Sequence, residues 1–194
     1  MTRVRWWGTG LVALALLVLC AGLPLLDRAL GDGGEPLAPG TVLAVGTERD
    51  GARPITLTVP YAGWVLDEAA TSLTGHAELT SEDVVVSLSV AVPLAPFDPR
   101  GLWRGLGRIV AIGGRARLGA EPVPITTAHG LTGLTGTIDG RGRTGTAAVF
   151  ATDTLGATVT AAGPPPAFRS VAAQVAAMVR TLTIAAPWTS ESGP

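Results

Sequence analysis

The chain has 194 residues, fourteen basic and fifteen acidic side chains, a formal net charge of −1 and 47% hydrophobic residues. That balance excludes a disordered polyelectrolyte and gives no bulk positive charge for nucleic acid, so no nucleic-acid partner is expected. Cys20 is the only cysteine, so no disulfide framework is possible and the fold must rest on an ordinary hydrophobic core.

Residues 6–26 form an uncharged run rich in Leu, Val and Ala, preceded by Arg3 and Arg5 and followed by Asp27, Asp32 and Glu35. At about 1.5 Å per residue in a helix, such a run covers roughly 32 Å, against a bilayer hydrocarbon core of ~30 Å. The reading is a single-pass transmembrane helix after a short cytoplasmic cap (1–26). The arginine pair orients the N-terminus to the cytoplasm and the rest outside the cell membrane, with Trp6 and Trp7 at the interface. A cleaved signal peptide is the competing reading. Cys20-Ala21-Gly22 is a poor cleavage site, however, and the apolar run continues past it. Lipidation at Cys20 is disfavoured because Leu19 precedes it.

A Gly/Pro-rich linker is expected over 27–40, one extracytoplasmic domain over 41–186 and a flexible tail over 187–194. About 150 residues can bury roughly 68–70% of their unfolded surface, so one domain is the economical reading. Residues 55–59 alternate, with Ile55, Leu57 and Val59 on one face and Thr56 and Thr58 on the other, and Pro60 stops the strand. Residues 77–80 and 84–92 read as a hairpin around Ser81-Glu82-Asp83, with Val84, Val86, Leu88, Val90 and Val92 facing inward and Pro93 ending it. Asp98-Pro99 is an N-cap followed by proline at the first helical position, and Leu102, Leu106, Ile109 and Val110 follow at helical spacing.

Further strands are expected over 115–118, 124–128, 131–138, 144–152 and 155–161, with turns at 139–143 and Asp153. After Gly163-Pro164-Pro165-Pro166, the residues Phe168, Val171, Ala172, Val175, Met178, Val179 and Leu182 recur at spacings of three and four. They form the apolar stripe of a helix laid on the sheet. An α+β domain follows, an antiparallel meander sheet with packed helices.

In Leu57-Thr58-Val59-Pro60-Tyr61-Ala62-Gly63-Trp64, the hairpin, the middle helix, the long meander and the final Met178-Val179-Arg180-Thr181-Leu182, the chain resembles the PsbP-like α/β/α sandwich. It is also similar to actinobacterial envelope proteins of the LpqN type. The absence of Lys and Asn, beside abundant Ala, Gly, Pro and Arg, fits a GC-rich bacterial genome. The resemblance covers most of residues 55–184 and implies a non-enzymatic accessory domain.

No string carries a catalytic constellation. Gly140-Arg141-Gly142-Arg143-Thr144-Gly145 matches the dinucleotide fingerprint in letters, but a strand follows it where a helix N-terminus should meet the pyrophosphate, so it reads as a hairpin turn. Thr126-Thr127-Ala128-His129-Gly130 is not followed by a serine-nucleophile segment. His76 and His129 are the only histidines, so no metal site and no cofactor are expected. Asp67-Glu68 and Glu82-Asp83 are adjacent pairs that strand geometry turns to opposite faces. The candidate partner-binding residues are Arg100, Arg104 and Arg108, four apart on one helical stripe, with Trp103 between them. As a solvated face they need no partner; as a contact they meet lipid headgroups or an acidic protein.

The expected function is a membrane-anchored accessory or binding module of the bacterial cell envelope, non-catalytic, with an envelope protein or lipid as partner. The alternative is a carrier or sensor of a small apolar or lipid ligand held between the sheet and the last helix. An envelope hydrolase stands third.

Overall fold

The computed structural model describes residues 34–49, 51–92, 98–112 and 116–185. The transmembrane helix expected over 6–26, nearly all of the linker and the tail from residue 187 lie outside them, as do Pro93 and Arg115. Among the described residues, no helix is long and apolar enough to cross a membrane.

In chain order the elements are β1 (Glu35–Pro36), β2 (Thr41–Val45), β3 (Ile55–Val59), β4 (Val65–Leu66), β5 (His76–Ser81), β6 (Val84–Ala91), α1 (Pro99–Ile112), β7 (Ala116–Leu118), β8 (Val123–Thr126), β9 (Thr132–Gly140), β10 (Arg143–Ala151), β11 (Gly156–Gly163), α2 (Pro165–Arg180) and β12 (Thr183–Ile184). Every strand pairing is antiparallel. The large sheet runs β1-β4-β5-β6-β11-β10-β9-β7, with β8 also on β9, and a small sheet runs β12-β3-β2. Among the described residues this is a mostly antiparallel α+β fold with two helices, as the alternating and three-to-four-residue spacings predict.

Two apolar layers flank the large sheet. On one face α2 sets Val171, Val175, Met178 and Val179 against Leu79, Val86, Leu88, Phe150 and Val159, and the small sheet adds Ile55, Leu57 and Val59. On the other face α1 sets Trp103 and Leu106 against Ile138, Ala147 and Val149. Strand β10 explains how one sheet serves both. Successive side chains point to opposite faces, so Ala148 and Phe150 enter the first layer while Ala147 and Val149 enter the second. The result is an α/β/α sandwich.

Local chemistry closes the layers. Gly63 takes φ +92°, a left-handed conformation that glycine adopts without a Cβ penalty, and the next residue, Trp64, turns into the core. At the end of α2 the Thr181 hydroxyl donates to the Met178 carbonyl at 2.7 Å and accepts the Thr58 N–H at 2.9 Å. The helix terminus is thereby fastened to β3.

Several expectations need correction. The folded domain begins earlier than residue 41, because Glu35–Pro36 pair with Val65–Leu66 and Leu37 is buried beside them. Val92 is 72% exposed, not inward, since β6 ends at Ala91 and, among the described residues, no strand pairs with the next position. Ile109 belongs to the exposed side of α1, and Phe168 only packs against the rim of the main core.

Candidate functional site

The candidate surface is the outer face of α1, and it starts from the helix cap. Asp98 accepts the Gly101 N–H through Oδ1 at 2.7 Å, and Pro99 occupies the first helical position, where a missing N–H costs nothing. Replacing Asp98 by Ala should cost about 1 kcal/mol and fray the first turn. Urea unfolding, with amide exchange at residues 100–103, would report both.

Packing sets the rotation of the helix. Trp103 is 6% exposed and lies over Gly136, where a Cβ would come within 2.9 Å of the indole. No side chain larger than hydrogen fits under the ring without a shift. Trp103, expected among the contact residues, is therefore the residue that seats α1 on the sheet and is not available to a partner. Its burial turns Arg100, Arg104 and Arg108 outward, and all three are exposed.

At 100° per residue, positions four apart advance by about 40° around the axis, so the three guanidinium groups form one slanted stripe. Among the described residues, the single ion pair is Arg53 to Glu48 at 3.7 Å, far from this helix in sequence. Among the described residues, the stripe thus carries three positive charges with no carboxylate within ion-pairing distance. Ile109 and Ile112 flank it at 69% and 85% exposure, an apolar edge beside the basic one.

The other motifs fall into structural roles. His129 is exposed in a turn whose buried Thr127 hydroxyl accepts the N–H groups of His129 and Leu131. His76 is half-buried on β5 opposite Ser89. Asp67 caps the Ala70 N–H at 2.9 Å, and Glu82-Asp83 form the tip of the β5–β6 hairpin, with Glu82 at φ +51°. Arg141 and Gly142 form the β9–β10 turn, with Gly142 at φ +70°. Among the described residues, no three His, Cys, Asp or Glu side chains gather where they could hold a metal ion.

Two residues that helical spacing assigns to the polar face of α2, Gln174 and Thr181, instead make part-buried hydrogen bonds to the rest of the fold. The Trp64 indole N–H donates to Gln174 Oε1 at 3.0 Å, joining the Gly-Trp segment to α2. Thr181 docks the end of α2, as described above. Gln174 is the chain's only glutamine and lies at the edge of the apolar stripe of α2, the one signal that could have marked it.

No protein-family model and no curated protein matches the chain. Solved structures do resemble it. The chain is similar to the solution structure of cyanobacterial PsbP (CyanoP) from Synechocystis sp. PCC 6803, with a TM-score of 0.52 and 11% identity over 76% of this chain and 95% of that one. It is also similar to the Ran-binding protein Mog1p of Saccharomyces cerevisiae, with a TM-score of 0.49 and 10% identity over 78% of this chain and 96% of that one. The likeness to CyanoP bears out the PsbP-like fold and, at that identity, the fold alone.

Proposed function

We propose that the chain is a non-catalytic accessory module of the bacterial cell envelope, anchored by one N-terminal helix with its folded domain on the extracytoplasmic side. The observation that carries this reading is the uncharged run over residues 6–26 between an arginine pair and a set of acids. We read the domain as contributing a binding surface and not a reaction site. Its most distinctive feature is the basic outer face of α1, which fits an anionic partner at the membrane. A likeness to LpqN-type actinobacterial envelope proteins, carried by the short motifs at residues 57–64 and 178–182, supports the same reading.

The space between the sheet and α2 supports a binding surface over a carrier. Val175, Met178 and Leu182 fill it with no exposed area, against Phe150 and Val159. Tethering also raises the effective concentration of the domain at the membrane, so a weak contact suffices for function.

Membrane fractionation with intact-mass analysis tests the anchor. The expected result is a protein that keeps its N-terminal residues and stays with the membrane through high salt and alkali. A mature mass lacking about the first 22 residues would replace the anchor with a cleaved signal.

A further inference from the structure

The geometry of α1 points to the lipid surface of the protein's own membrane as the occupant of its open face. Anionic phospholipid headgroups meet Arg100, Arg104 and Arg108, and the acyl boundary beneath them meets Ile109 and Ile112. This inference rests on the anchored reading above and names the partner of that same face.

Charge is the first argument. The three guanidinium groups lie along about 12 Å of helix, have no carboxylate in ion-pairing distance among the described residues, and present planar forks suited to phosphate. The nearby Asp98 carboxylate is engaged by the Gly101 N–H at the helix start. The second argument is the apolar edge. Ile109 and Ile112 are among the exposed large hydrophobic residues of the domain, and both belong to the last turn of this one helix. An acidic protein surface would satisfy the arginines but leave the two isoleucines against polar groups. A membrane interface supplies both chemistries within a depth of about 5–10 Å.

Shape agrees. On the helix wheel Gly101 falls between the arginine stripe and Ile112, and Gly105 falls between Ile112 and Ile109; a Cβ at Gly105 would meet nothing within 4 Å. These glycines, each less favourable in a helix than Ala by up to about 1 kcal/mol, leave a low profile over which the longer Arg and Ile side chains can reach the headgroups. On the same face of the sheet, β6 and β11 present the half-buried Ser87, Ser89, Thr158 and Thr160, a polar surface beside the helix.

Chain length permits the contact. Residues 27–34 separate the apolar run from β1, and a fully extended chain of that length reaches at most about 29 Å. Strands stand about 4.8 Å apart, so β10, against which α1 packs, lies about 24 Å across the sheet from β1. With the α1 face turned toward the bilayer, both the tether and the helix are within reach of it.

The test uses the full chain with Cys20→Ser and Ile112→Cys, labelled with an environment-sensitive fluorophore. It is reconstituted into vesicles of phosphatidylcholine alone or with phosphatidylglycerol added. Ala176→Cys, on the exposed side of α2, provides the reference position. Each arginine at an anionic surface favours contact about fivefold, so removing three should shift the docked-to-undocked ratio on the order of 100-fold. The expected result is a label at 112 that is shielded from a water-soluble quencher only in the phosphatidylglycerol vesicles. High salt, or Arg100→Gln, Arg104→Gln and Arg108→Gln together, should abolish the shielding, while the label at 176 stays open throughout. Protein that remains with the vesicles in high salt but shows equal quenching at 112 in both lipids overturns the docking and leaves the anchor standing. Shielding at 112 that requires an added acidic protein likewise overturns it in favour of a protein partner. A chain that fails to stay with either vesicle overturns the anchor and the docking together.

Discussion

Val175→Asp should unfold the domain. Val175 has no exposed surface and lies in the middle of the apolar layer between α2 and the sheet. The substitution removes about 1.5–3 kcal/mol of apolar burial and adds a carboxylate with no partner, whose desolvation costs several kcal/mol more. A domain's net stability is about 5–15 kcal/mol, so a combined loss of at least about 5 kcal/mol takes most or all of it. Ala176→Asp supplies the control, because the next position on the same helix is exposed and should lose only about 1 kcal/mol through propensity. Circular dichroism and urea unfolding of the two variants measure the contrast. Near-wild-type melting of Val175→Asp would mean that α2 is not docked on the sheet.

Periodicity in the sequence specifies much of this layer. Alternation at residues 55–59 placed Ile55, Leu57 and Val59 inward, and spacings of three and four placed Val171, Val175, Met178 and Val179 on one stripe, because each pattern follows from the geometry of its own element. Asp98-Pro99 marked the start of α1 for the same reason, since a cap is a local hydrogen bond. What stayed hidden depends on partners distant in sequence. Glu35–Pro36 form too short a strand to show a period, and only pairing with β4 makes them part of the fold. Trp103 alternates with arginines in the chain, and its burial follows from Gly136, whose missing side chain opens the space beneath it. The exposed position of Ile109 is likewise set by where α1 lies on the sheet.

The candidate surface was half legible. Spacing alone identified the stripe of Arg100, Arg104 and Arg108, because four-residue intervals share a helix face whatever the helix packs on. Spacing could not show that no carboxylate among the described residues pairs with it, nor that two isoleucines stand exposed beside it. Those are consequences of the tertiary arrangement. The run over residues 6–26, by contrast, is read from sequence alone, since length and hydropathy are the physical criteria for spanning a bilayer.

Trp64→Ala should cost about 3–5 kcal/mol, the usual range for emptying a buried aromatic site. Smaller changes separate the ring from its hydrogen bond. Trp64→Phe keeps most of the apolar volume but removes the indole N–H, leaving Gln174 Oε1 half-buried without its donor, at a cost of about 1–2 kcal/mol. Gln174→Leu leaves the indole N–H without its acceptor, for a similar cost. Once either partner is gone the other has no bond to lose, so the double variant should cost about 1 kcal/mol less than the sum of the singles. Urea unfolding of the four proteins in this cycle measures the coupling. Strict additivity would show that the bond contributes nothing and that α2 is held by apolar contact alone. A coupling of the expected size would establish Trp64 and Gln174 as the polar link between the Gly-Trp segment and the helix that covers the sheet, and it would give the pair a physical reason to be kept together in any relative of this chain.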